Sequence, residues 1–237
     1  MLQILTIVFA LIYAIFNSTS KSKYVFIIFS LLIWIIASIR VGQGPDYYAY
    51  AFAYSRLDLN PIAEMSKPLI FEHEIMFRLL GSTIKYLGFG YQSYLSIVAG
   101  ISIFFISRLC WKHSPYPTLS LLLFYAAFYF TWPYSGLRQG LSLCIGSYYL
   151  VDCLKKNQTL KYIFVTAILS LFHLSAALGI VFYFACKLTF EFRSQVFLSL
   201  VALVICLTLQ QVILNNIGLV PFAERILFYE EGFLSTS

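Results

Sequence analysis

The chain has 237 residues, of which 60% are hydrophobic and 19% aromatic, with only 11% charged. A soluble globular domain carries about 25% charged residues, so this sequence cannot clothe a water-facing surface, and lipid is its natural solvent. The formal charge of +6 is dispersed between apolar runs, which argues against a nucleic-acid face and for a record of membrane topology.

Apolar runs occur at about 2–16, 24–39, 91–107, 118–132, 139–154, 160–186 and 195–214. At roughly 20 apolar residues per crossing, the length predicts an all-α, polytopic bundle of about six to eight spans. It is read as a single transmembrane domain over 1–237. The first run lacks a preceding Lys or Arg and a small-residue cleavage site, so it is not read as a cleaved signal peptide. A weaker run, Ile75 to Leu87, is interrupted by Arg78, Gly81 and Lys85. It suits an interfacial or re-entrant helix better than a lipid-facing span.

The basic loops set orientation. Lys21 and Lys23, then Arg108, Lys112 and His113, then Lys155, Lys156 and Lys161 all belong on the cytoplasmic side by the positive-inside rule. Segments 40–74 and 131–139 then fall together on the opposite side, provided that 75–87 does not cross. Run 160–186 is either one long helix or two short ones meeting near His173, and the second option brings His173 to the non-cytoplasmic side. The five cysteines show no C-x-x-C spacing and read as small hydrophobes. The chain ends in a polar turn, Glu230 to Ser237, that reads as a loop cut short.

Four segments could carry chemistry. Arg138 lies at the start of an apolar helix, after Trp132-Pro133-Tyr134-Ser135-Gly136-Leu137. A cation is disfavoured at a helix N-terminus unless an anion such as a diphosphate sits between it and the first-turn amides. Snorkelling to lipid headgroups is an equal alternative. Gly136 and Gly140 form a G-x-x-x-G pair, for which close helix packing is the favoured reading. Arg40-Val41-Gly42-Gln43-Gly44-Pro45-Asp46-Tyr47 reads as a tight, irregular turn, with Asp46 as a helix N-cap rather than a base. Arg40 could be an interface anchor, and the tyrosines could stack on sugars or form an aromatic belt. His173 is a lone intramembrane histidine, structural by default, yet able to exchange a proton near neutral pH. Glu72-His73-Glu74 could bind a metal or a sugar hydroxyl. Adjacent helical residues do not face one site, so a solvated loop is preferred and no metal is expected. No G-x-G-x-x-G or Walker motif is present, so ATP hydrolysis is not indicated.

Together these segments resemble the EpsG family of bacterial exopolysaccharide membrane proteins, relatives of the Wzy-type O-antigen and capsule polymerases. The resemblance rests on the Arg40…Gly44-Pro45-Asp46-Tyr47 turn, the Glu72 segment, Gly136-Leu137-Arg138-Gln139-Gly140 and Phe172-His173-Leu174-Ser175, and covers roughly residues 30–190. Relatives usually carry further C-terminal helices, and many have a polar residue in place of Gly136. The resemblance implies an inverting-type glycosyltransferase that joins undecaprenyl-diphosphate-linked oligosaccharide repeats at the outer side of the bacterial cytoplasmic membrane. It implies no cofactor, and other polysaccharide-synthesis membrane proteins as further partners. It assigns Arg138 and Arg40 to the diphosphate and Asp46 or His173 to the acceptor proton, with Gln139, Tyr47 and Glu72 lining the substrate. Two competing readings are a transporter or flippase of lipid-linked sugars and a non-catalytic subunit of a synthesis complex.

Overall fold

The computed structural model describes residues 22–67 and 74–188. The first and last apolar runs, together with Glu72 and His73, lie outside the described residues. Contacts gather Met1–Lys187 into one compact unit and Leu188–Ser237 into a second. The described helices all belong to the first.

Every regular element among the described residues is helical. Helix α1 (Lys23–Ser38) runs antiparallel to α5 (Tyr91–His113). Trp34 Nε1 donates to the Ser96 carbonyl at 2.9 Å, Ser107 Oγ to Ser30 Oγ at 3.0 Å, and the rings of Phe26 and Trp111 meet at 5.2 Å. Helix α6 (Pro117–Phe124) starts with proline at its first turn, where the missing N–H costs nothing, and continues as a π turn over Tyr125–Tyr129. It returns the chain so that α7 (Leu137–Lys156) lies parallel to α5. Leu137 and Leu141 pack with Leu95 and Val98 near one end, and Lys112 pairs with Asp152 near the other. Lys155 and Lys156 sit in the last turn of α7, where cations complement the helix dipole, and Asn157 closes it in the left-handed conformation at φ 55°.

The segment between α1 and α5 folds over one end of this bundle as three short helices: α2 (Tyr47–Arg56), α3 (Pro61–Ser66) and α4 (Ile75–Tyr86). The α2–α3 corner is fixed by a buried ion pair. Arg78 Nη2 meets Glu64 Oε1 at 2.6 Å, both residues being 3% exposed, and the same carboxylate accepts the Asp58 N–H at 2.7 Å. Lys85 Nζ caps the end of α2 by donating to the Ser55 and Leu57 carbonyls at 2.9 and 2.6 Å. Helix α4 has 12 residues, roughly 18 Å at about 1.5 Å per residue. Both its charged side chains are bound inside this layer.

Run 160–186 takes the two-helix option. Helix α8 (Thr159–Ser170) ends before His173, a 3₁₀ turn covers Leu174–Ala177, and α9 (Leu178–Ala185) leads back. Tyr162 and Tyr183 stack at 4.8 Å, and Lys187 Nζ donates to Asn157 Oδ1 and Thr159 Oγ1 at 3.2 and 2.8 Å. The two legs therefore form a hairpin whose ends meet.

Among the described residues, one helix is long and apolar enough to cross a bilayer, α5 with 23 residues, roughly 34 Å. Helix α1, α6 with its π turn, α8, and the 3₁₀ turn continued into α9 are apolar but shorter. Against the expectation of six to eight full spans, the described residues thus hold one such helix and several shorter apolar ones.

Candidate functional site

The sequence brings three distant segments to the N-terminal end of α7. Glu74 holds the N-cap position of α4, and the adjoining first-turn N–H of Met76, which has no partner inside its own helix, donates to the Leu171 carbonyl at 3.1 Å. That single bond seats the start of α4 against the tip of the α8–α9 hairpin. Glu74 Oε1 then lies 3.0 Å from His173 Nδ1 and accepts the Leu174 N–H at 3.2 Å, while Oε2 accepts from Arg138 Nη1 at 2.7 Å. All three side chains are partly buried, between 21% and 26% exposed.

Glu74 is the hub. Burial pushes its carboxyl up, but its own N–H, the Arg138 charge and the Leu174 N–H together outweigh that and hold it below its ordinary value. An ionised carboxylate only accepts hydrogen bonds, so Nδ1 of His173 is the donor to Glu74. Nε2 bonds to no described residue. Arg138 answers the puzzle of a cation at a helix N-terminus: it pairs with an acid from another segment instead of reaching for lipid headgroups. Tyr50, on α2, also interacts with Arg138.

Arg40 forms a second cationic point. It is 4% exposed, its Nε and Nη1 make no hydrogen bond, and its guanidinium stands 4.8 Å above the ring of Tyr134. Burial lowers its pKa, with Tyr91, Tyr134, Tyr129 and Tyr47 opposing. Guanidinium does not give up its proton in proteins, so the charge remains and lacks hydrogen-bond partners at two of its nitrogens. The adjoining turn is built as its glycines require: Gly42 and Gly44 take φ of 65° and 96°, closed to most other residues. It is tied to the α6–α7 loop by Tyr134 Oη donating to Gln43 Oε1 at 2.5 Å.

Other residues singled out from the sequence take different places. Asp46 occupies the N-cap position of α2, but its carboxylate makes no capping bond and is exposed, so the capping role is not realised. It acts electrostatically on Tyr50, as Arg138 does with the opposite sign. Tyr47 packs edge-on against Tyr91 at 5.3 Å, and its carbonyl accepts the Tyr91 hydroxyl at 2.8 Å. Gln139 lines a cavity of about 300 Å³ together with Ser142, Thr166 and Ser175. Glu72 lies outside the described residues. The G-x-x-x-G pair serves close packing, but against the chain's own preceding loop instead of another helix: a Cβ on Gly140 would stand 2.5 Å from the Trp132 carbonyl. Of the Glu72-His73-Glu74 segment the sequence assigns Glu72 to the substrate, whereas Glu74 is the acid that meets Arg138 and His173; Tyr50 and Tyr134 carry no individual assignment from the sequence.

Among the described residues no group of three His, Cys, Asp or Glu side chains could hold a metal ion. At the opposite end Asp152 collects Lys112, Lys156 at 3.0 Å and His113 at 3.6 Å, a knot joining the ends of α5 and α7. Among the described residues Asp58, Glu64 and Glu74 are engaged in the outer layer and Asp152 in this knot, whereas Asp46 is exposed.

The sequence model of the EpsG family matches residues 23–234. No curated protein and no solved structure matches the chain.

Proposed function

The chain belongs to the EpsG family, and on that premise we propose that it is a polysaccharide polymerase of the bacterial cytoplasmic membrane. It would join undecaprenyl-diphosphate-linked oligosaccharide repeats by inverting glycosyl transfer. The observation that carries the reading is the meeting of Arg138, Glu74 and His173 from three segments, with a buried guanidinium, Arg40, on the neighbouring turn.

The chemistry needs a group that takes a proton and groups that receive negative charge. His173, held by Glu74 through Nδ1, offers Nε2 to the acceptor hydroxyl and accepts its proton. The freed oxygen attacks the anomeric carbon of the donor from the face opposite its diphosphate. The carbon–oxygen bond to the diphosphate then breaks, and both of its electrons leave with lipid diphosphate. A guanidinium has five N–H donors, so Arg138 can be oriented by Glu74 through Nη1 and still grip a phosphate. Arg40, already stripped of water, supplies a second fixed charge where the leaving group develops. Asp46 and the exposed face of Tyr47 and Tyr48 are suited to hold sugar hydroxyls and rings. The donor carries its own energy in the glycosyl diphosphate bond, so no nucleotide site is required.

The test is reconstitution of purified protein with a lipid-diphosphate-linked repeat and no other protein. Wild type yields polymer and Arg138→Ala does not, with equal protein in the membrane. Full-length polymer from the alanine variant removes the diphosphate role. Polymer that forms only when partner proteins are added makes the chain an accessory subunit.

A further inference from the structure

Away from this site, α1 and α5 line a lateral groove of about 580 Å³. We propose that it holds one acyl chain of an anionic glycerophospholipid, with the phosphate between Lys23 and Arg108.

Three observations carry this. The walls are apolar and open to the side: Ile27, Leu31 and Phe104 are all exposed large hydrophobics on its rim. The polar atoms in its floor are already satisfied, since Ser107 Oγ donates to Ser30 Oγ and Ser30 Oγ to the Phe26 carbonyl at 2.9 Å. The lining therefore asks for hydrocarbon, not for water or a sugar. Second, the groove runs from Lys23 to Trp34 along α1, roughly 16 Å at about 1.5 Å per residue. That is about the depth of one leaflet, half of a hydrocarbon core of about 30 Å. Third, its charge is one-signed. Lys23 and Arg108 line it, no acid does, and among the described residues neither cation has an ion-pair partner. Other basic residues of this end are engaged differently, Lys112 and Lys156 being drawn to Asp152. An anionic headgroup completes the charge at the mouth while its chain fills the groove. The groove lies at the opposite end of the bundle from Glu74, so lipid binding there does not depend on the polymerase reading.

Purified full-length protein, equilibrated with phosphatidylglycerol or phosphatidylcholine of matched chains and then analysed by native mass spectrometry, tests it. Wild type should retain one phosphatidylglycerol well above phosphatidylcholine. Two cations near a headgroup are each worth roughly fivefold in affinity. The Lys23→Gln/Arg108→Gln variant should therefore lose a preference of roughly twenty- to thirtyfold and hold both lipids alike. Leu31→Trp, which fills the groove at an exposed position, should lose both lipids. Equal retention of the two lipids by wild type, an unchanged preference in the double glutamine variant, or undiminished binding by Leu31→Trp overturns the proposal. So does a crosslink from Leu31→Cys to residues 2–16, which would make the groove a seam for the chain's own N-terminal run. Circular dichroism of each variant separates lost lipid from lost fold.

Discussion

Arg138 Nη1 and Glu74 Oε2 stand 2.7 Å apart across 64 residues of sequence. The pair explains why a guanidinium tolerates the positive end of a helix, and it orients the imidazole on the other carboxylate oxygen. Replacing Glu74 by Gln keeps the shape and removes the charge. The variant should retain protein in the membrane but polymerise at least about tenfold more slowly, since the histidine loses a carboxylate partner of the kind that fixes ring orientation. Glu74→Asp, which keeps the charge, should recover part of that rate.

The same residue sets a pH dependence. Its carboxyl titrates below the ordinary 4.5 in the folded protein, so its contribution to stability is complete above that value and disappears as pH falls through the lower folded one. The part of the melting temperature in detergent that Glu74 supplies should thus be level down to about pH 5 and fall in more acid solution. Asp58 and Glu64 are also held low, the first chiefly by the Asn60 N–H, the second by the Asp58 N–H and Arg78 against its own burial. Glu74→Gln should therefore make the acid limb shallower without abolishing it.

His173→Ala should reduce polymer formation by about a hundredfold or more, the usual contribution of a general base, with lipid-diphosphate substrate still binding. His173→Gln should do the same although it can keep the bond to Glu74. A glutamine variant with wild-type turnover would reduce the histidine to a structural residue.

Arg40→Met makes the opposite demand on stability and activity. A buried charge without hydrogen-bond partners is costly, so the methionine variant should melt at least as high as wild type while losing polymerisation. A lower melting temperature would show that stacking on Tyr134 outweighs the desolvation of the charge.

Glu64→Ala leaves Arg78 buried and unpaired, and should destabilise the α2–α3–α4 layer by about 3–5 kcal/mol. Removing both charges, as Glu64→Leu with Arg78→Met, should recover most of that loss in thermal unfolding. Gly140→Ala, whose Cβ would meet the Trp132 carbonyl, should cost about 1–3 kcal/mol through overpacking and misplace Arg138 two residues away.

Much of this arrangement is legible in the sequence. Arg40, Asp46, Arg138 and His173 stand out as polar groups bordering apolar runs, and the glycines of residues 42 and 44 announce a turn that the dihedrals carry out. Glu74 stands out only as one of three consecutive ionisable residues, Glu72-His73-Glu74, and nothing local says which of them meets a partner. The hairpin at His173 is hidden for a related reason. Ser170-Leu171-Phe172-His173-Leu174-Ser175 contains neither glycine nor proline, and the turn is stabilised from outside, by Met76 on the Leu171 carbonyl and Glu74 on the Leu174 N–H. The π turn at Tyr125–Tyr129 likewise has no breaker residue, and Tyr129 Oη donates to the Ile33 carbonyl of α1 at 2.7 Å. Bonds between distant segments leave no periodic trace.

The closed hairpin of α8 and α9 has a practical corollary for anyone mapping which compartment each loop inhabits. Because Lys187 returns to Asn157 and Thr159, run 160–186 begins and ends at the same end of the bundle. A reporter enzyme spliced after Lys187 should light up in the same compartment as one spliced at Asn157. Hydropathy counting that scores the run as a single pass would invert the assignment of everything downstream.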